Sequence, residues 1–166
     1  MKRFLPAFGI ICLLIATSLG DETNGLLLTA QKTVLGKTKN RESALSDYSM
    51  VKRDLALKVE ATNTSLTDMP EGSITCTIIV KRRDGDYEKY TDTQPFPPLK
   101  ASAETRITIG KVKTRGLESS GDRRDEDAIA GWEIVVKHNN VVTAKLTSGG
   151  GYEKLLGESK TGSNDD

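Results

Sequence analysis

Gly131 to Ser148 reads GWEIVVKHNNVVTAKLTS, and its two alternating runs around a His-Asn-Asn turn predict a β-hairpin. Trp132, Ile134 and Val136 fall on one face of the first strand, and Val142, Ala144 and Leu146 on one face of the second, so both sets must share a side. A two-residue Asn-Asn loop would set the apolar residues of one strand beside the polar residues of the other, because a one-residue slip turns every side chain over. A three-residue loop of His138, Asn139 and Asn140 instead pairs Val136 with Val142, Ile134 with Ala144 and Trp132 with Leu146. That register is the expectation, with Asn140 in the left-handed region that asparagine tolerates. Burying each of the three large side chains contributes roughly 1.5–3 kcal/mol, which outweighs the preference of the turn.

The segments upstream read as further strands of the same sheet system. Leu26 to Leu35 is a first strand of unclear register, and Gly36 to Tyr48 reads as a polar connection with one helical turn around Ser43 to Leu45. Leu55, Leu57, Val59 and Ala61 alternate with polar or small residues, as do Ile74, Cys76, Ile78 and Val80, and both patterns predict half-buried strands. Asp84-Gly85 predicts a two-residue hairpin loop with Lys81 opposite Glu88 and Ile79 opposite Tyr90 on an outer apolar patch. Gln94 to Leu99 (QPFPPL) carries three prolines and suits an edge or a crossover between sheets. Ile107, Ile109 and Val112 slip by one residue after Gly110, which predicts a bulge. Thr114 to Ala128 reads as a long charged loop, and residues 149–166 as a Gly-rich, polar and disordered tail with one turn of helix at Tyr152 to Leu156. About seven strands result, and the fold class is an all-β sandwich of immunoglobulin-like or fibronectin-III-like type spanning residues 26–148.

The first 20 residues have the three parts of a secretory signal peptide: basic Met1-Lys2-Arg3, an apolar run from Phe4 to Ala16, and small residues at Ser18 and Gly20. Cleavage is expected after Gly20, leaving a short polar segment at 21–25, and the run is shorter than the 20 or so residues of a membrane span. Two variants that would retain the apolar segment fit less well. Cys12 lacks the small residue expected before a lipoprotein cysteine, and a prepilin-type cut after Gly9 meets Leu14 where such signals carry Glu. Removing residues 1–20 takes away Lys2 and Arg3 and leaves 22 basic against 23 acidic side chains. That balance gives no support for nucleic-acid binding. Only Cys76 remains after cleavage, so no intrachain disulfide forms and the core alone holds the domain.

No catalytic set can be named. His138 is the single histidine and is expected exposed in its turn, and Cys76 is expected in the core. One His and one mature Cys make no metal site, and Asp122, Asp125, Glu126 and Asp127 match no calcium-loop spacing. No phosphate-binding loop is present, and no cofactor is expected. Asn63-Thr64-Ser65 satisfies a glycosylation sequon but sits where a strand ends and turns. The residues nominated for ligand or partner contact are Tyr87, Tyr90 and Phe96, as rings on which a glycan or peptide could rest.

The elements VEATNTSLTDMPEGSITCTIIVKR, QPFPPL, RITIG and AGWEIVVKHNNVV, from Leu55 to Leu156, resemble small exported immunoglobulin-like domains of bacteria. Some of these are encoded alongside type IV pilus-like assembly genes. The resemblance implies an envelope or surface location (periplasm, outer membrane or extracellular) and supplies no catalytic residues. The expected function is a non-catalytic structural or accessory role in the cell envelope, pilus-associated in its narrower form. Its partners would be envelope or pilus-like assembly proteins, with no stable membrane span after cleavage. The alternative is an extracellular module for glycans or host surface molecules.

Overall fold

The computed structural model describes residues 18–19, 24–41, 48–119, 122–149 and 151–162. Ten strands and one helix follow in chain order: β1 Ser18–Leu19, β2 Leu26–Arg41, β3 Tyr48–Asn63, β4 Gly72–Lys81, β5 Tyr87–Phe96, β6 Glu104–Ser119, β7 Asp122–Glu126, β8 Ala128–His138, β9 Val141–Thr147, α1 Tyr152–Glu158 and β10 Lys160–Thr161. They form two sheets, ordered β1-β2-β3-β6-β7 and β10-β5-β4-β8-β9. The seven long strands therefore lie as β2-β3-β6 against β5-β4-β8-β9, the A-B-E and C′-C-F-G arrangement of an immunoglobulin-like sandwich. The chain is an all-β sandwich, as the alternation predicts.

The core lies between the sheets. Leu26, Leu28, Leu57, Val59 and Ile109 on one inner face meet Ile74, Cys76, Ile78, Trp132, Ile134, Val136 and Leu146 on the other. The bulge at Gly110 is present: Leu55 pairs with Val112 and Leu57 with Ile109, so the β6 side carries an extra residue. Gly110 has φ +71°, and a Cβ there would stand 2.6 Å from Cys76 Sγ. Glycine is required on both counts.

Both hairpin loops differ from expectation, and in opposite directions. At the β8–β9 turn His138 pairs with Val141 around a two-residue Asn139-Asn140 loop, both with positive φ (+50° and +64°). The faces are brought back into agreement by a bulge: the register shifts between Lys137↔Val142 and Val136↔Ala144, leaving Thr143 as the extra residue. Trp132, Ile134 and Val136 share a side with Ala144 and Leu146, while Val142 is left exposed. At the β4–β5 turn the Arg82 N–H donates to the Asp86 carbonyl and the Gly85 N–H to the Arg82 carbonyl, enclosing a three-residue Arg83-Asp84-Gly85 loop with Gly85 at φ +95°. Lys81 accordingly pairs with Tyr87 and Ile78 with Tyr90, one place away from the expected register. Ile79 is fully buried, so the expected outer apolar patch does not form.

The two stretches expected to be polar connections are largely strand in their described residues. Residues 36–41 and 48–54 extend the β2–β3 ladder, and β6 runs on to Ser119 and turns back as β7. The helical turn expected at Ser43 to Leu45 lies outside the described residues. The product is a four-stranded polar arm continuous with the first sheet. The described residues of the tail pack on the sandwich instead of forming a disordered segment: α1 buries Tyr152, Gly131 leaves room for Leu155 and Tyr152, and β10 pairs parallel with β5 at Glu88 and Lys89. No helix among the described residues is long and apolar enough to cross a membrane.

Candidate functional site

The three nominated aromatics all sit on β5, where strand periodicity separates them. Tyr90 and Phe96 point inward, 6% and 1% exposed, and Tyr87 points to the other face, half-buried. Phe96 meets the His138 ring edge-on, with centroids 5.7 Å apart and planes at 85°. The Tyr90 hydroxyl is bound by Glu88 and Arg82, and Gly162 lies against its ring so closely that a Cβ there would clash. These rings do not assemble into an exposed stacking platform.

His138 is buried, contrary to the exposed turn residue expected. The two-residue loop ends the β8 strand at His138 itself, so its side chain follows the inward face with Val136. Its Nδ1 is 2.7 Å from Thr143 Oγ1, the bulged residue. Burial pulls the imidazole pKa below its usual value, and the Pro70 carbonyl acts in the opposite direction. The Cys76 thiol is pushed up to about 12, by burial first and then by the Asp92 charge, which keeps it protonated and unreactive. Asn63 of the sequon is fully buried: its side-chain amide donates to the carbonyls of Thr67, Leu99 and Lys100 and accepts from Ser65. It staples the β3–β4 loop to the β5–β6 loop.

Where the arm meets the sandwich, the charged residues of the expected loop form a polar seam. Arg82 donates to Glu88 Oε2 at 2.7 Å, to Asp127 Oδ2 at 2.8 Å and to the Lys113 carbonyl at 3.1 Å. Asp127 also accepts from the backbone N–H groups of Arg83 and Arg115, so one buried carboxylate joins β6 to the β4–β5 hairpin of the other sheet. Further out, Arg53 is buried and donates to Glu126. Burial works against the Arg82 cation, but the carboxylates of Glu88 and Asp127 outweigh it and hold its pKa above the usual value. Burial likewise opposes the Glu88 charge, and the hydrogen bonds from Tyr90 and Arg82 overcome it, leaving that carboxyl low. Tyr90 is pushed up to about 12, chiefly by burial and then by its bond to Glu88. A seam in which each carboxylate already faces a cation or N–H fastens two sheets; it presents no base poised to take a substrate proton. Among the described residues no three His, Cys, Asp or Glu side chains gather as metal ligands. Glu126 and Asp127 of the acidic run are tied to arginines, and the side chains of Asp122 and Asp125 lie outside the described ones.

The remaining candidate is an edge. β1 pairs with β2 only at Thr29 and Ala30, and among the described residues nothing pairs with that side of β2 from Gln31 to Arg41. The stretch carries Val34 and Leu35, 59% and 48% exposed, at a register shift opposite β3. The sequence reading places Gln31 to Leu35 in a first strand but ends that strand there, with Gly36 to Tyr48 as a connection, and does not identify it as an edge. The readable signal was charge: Leu26–Arg41 holds Lys32, Lys37, Lys39 and Arg41 and no acid.

No family model and no curated protein matches the chain. A crystal structure from Akkermansia muciniphila is similar over 87% of this chain and 81% of that one, at 13% identity and a TM-score of 0.37. A likeness this loose leaves function to rest on the geometry.

Proposed function

We propose that this chain is a non-catalytic, exported structural or accessory protein of the bacterial cell envelope, pilus-associated in the narrowest form of the reading, which acts by pairing with other proteins. The observation that carries the proposal is the outer side of β2 from Gln31 to Arg41, which no described residue pairs, with Val34 and Leu35 exposed. Such an edge offers a row of backbone donors and acceptors to an incoming strand. The three-part N-terminal leader supports export, and the burial of both His138 and Cys76 supports binding over catalysis.

The test is a photo-crosslinking residue at Leu35 of the tagged chain in cells, with Thr108, exposed on β6, as the control position. Envelope components attached from Leu35 and not from Thr108 are the expected result. Recovery of the uncrosslinked chain alone from both positions would overturn the pairing role.

A further inference from the structure

We propose that the outer edge of β2 takes an extended acidic strand of a partner protein; this rests on the interaction reading above and names the chemistry of its occupant. β2 is a basic strand without a carboxylate of its own. Lys37 and Lys39 both reach one residue, Glu118 of β6, at 3.5 and 3.2 Å, so two cations share one carboxylate across β3. Lys32 donates to the Ile129 carbonyl at 2.9 Å, a neutral acceptor. The strand therefore holds an excess of positive charge beside a backbone edge that no described residue pairs.

That excess discriminates among occupants. A second copy pairing antiparallel through its own β2, centred on Val34 and Leu35, would set Lys32 opposite Lys37, and like charges directly opposite one another repel. The apolar segment Phe4 to Ala16 of the same chain contains no acid, and its only charged neighbours, Lys2 and Arg3, are basic. An acidic strand with apolar residues at its centre satisfies the edge in three ways. Its backbone completes the ladder, its centre covers Val34 and Leu35, and its carboxylates face the unbalanced lysines.

The experiment uses the full chain and a 12-residue, fluorescein-labelled peptide with valine at the centre and glutamate at alternate flanking positions. A peptide with lysine for glutamate is the control, and anisotropy and amide hydrogen exchange are the readouts. Expected are binding of the glutamate peptide alone, weakening at least tenfold in high salt and at least tenfold with Leu35→Glu, and slowed exchange confined to residues 31–41. Equal binding of both peptides, binding of neither, or protection elsewhere would overturn the inference. So would protection of residues 31–41 already present in the free chain, which would mean that its own N-terminal segment or a second copy covers them. If the peptide fails while Leu35 crosslinks envelope proteins in cells, the acidic-strand chemistry falls and the pairing role stands. If neither occurs, both fall.

Discussion

The strands β2, β3 and β6 run unbroken through two environments, and the two halves are held together by different forces. In the sandwich half, Leu28, Leu57, Val59 and Ile109 lie under a second sheet, and nonpolar burial dominates. In the arm the inward face presents Ser49, Val51, Arg53 and, past the Gly110 bulge, Thr114, all buried, with Arg53 paired to Glu126 and the Thr114 hydroxyl bonded to the Arg53 carbonyl. The ladder shifts register where the halves meet, at Val34/Gly36 and at Leu55/Leu57, and the strands run on past these bulges without a continuous apolar face. Where the second sheet stops, hydrogen bonds and ion pairs along the strands and the seam at Arg82 take over. The two halves should accordingly respond differently to substitution.

The largest effect belongs to the sandwich half. Ile78 is fully buried between Cys76 and Val80, and Ile78→Ala removes packing on both inner faces. A loss of about 2–5 kcal/mol is expected, read as a lower urea midpoint with an unchanged slope. A loss under 1 kcal/mol would mean that the sandwich core is no tighter than the arm.

The arm should show a sign that the core cannot. Arg53→Met alone removes the buried cation that faces Glu126 and is expected to destabilise by about 1–3 kcal/mol. Arg53→Met combined with Glu126→Leu replaces the pair with apolar side chains and should recover most of that loss. Urea unfolding of the two single variants and the double variant measures the coupling. Additive losses would show that the pair is not what joins β3 to β7.

These polar contacts also explain what was legible in the sequence. β3, β4 and β8 show themselves because every second residue is apolar, and the sandwich follows from them. The arm stays hidden because GKTKNR and DRRDE alternate nothing hydrophobic: their order comes from partners far away in the chain, such as Lys37 with Glu118 and Arg53 with Glu126. The burial of His138 was missed for another reason: it follows from β8 running on through His138, which carries the Trp132-Ile134-Val136 alternation one step further than a three-residue loop would allow. The basic edge of β2 was readable as charge, but only the sheet order shows that the strand is an edge.

The sandwich half also contains the one group expected to respond near neutral pH. The folded pKa of His138 lies below its unfolded value of about 6.5, so both states are neutral well above that pH and stability is flat there. As pH falls below about 6.5 the unfolded chain takes up a proton that the folded chain does not, and stability decreases, by at most about 1.4 kcal/mol per pH unit, until the folded pKa is passed. Urea midpoints measured between pH 7.5 and 5 should fall with acid in the wild-type chain and stay level in His138→Gln. A level wild-type profile would place the imidazole in contact with water.

The smallest effect decides between two readings of one turn. In a three-residue loop of His138, Asn139 and Asn140, only Asn140 needs positive φ, and alanine at position 139 would be neutral. In the two-residue loop Asn139 itself stands at φ +50°, where alanine is strained and asparagine is tolerated. Asn139→Ala is therefore expected to cost about 1 kcal/mol, and Asn139→Gly, which accepts that conformation freely, less. Equal stability of the wild-type and alanine chains would return the hairpin to the three-residue register. The bulge at Thr143 would then be unnecessary, because Val142 would pair with Val136 and turn into the core.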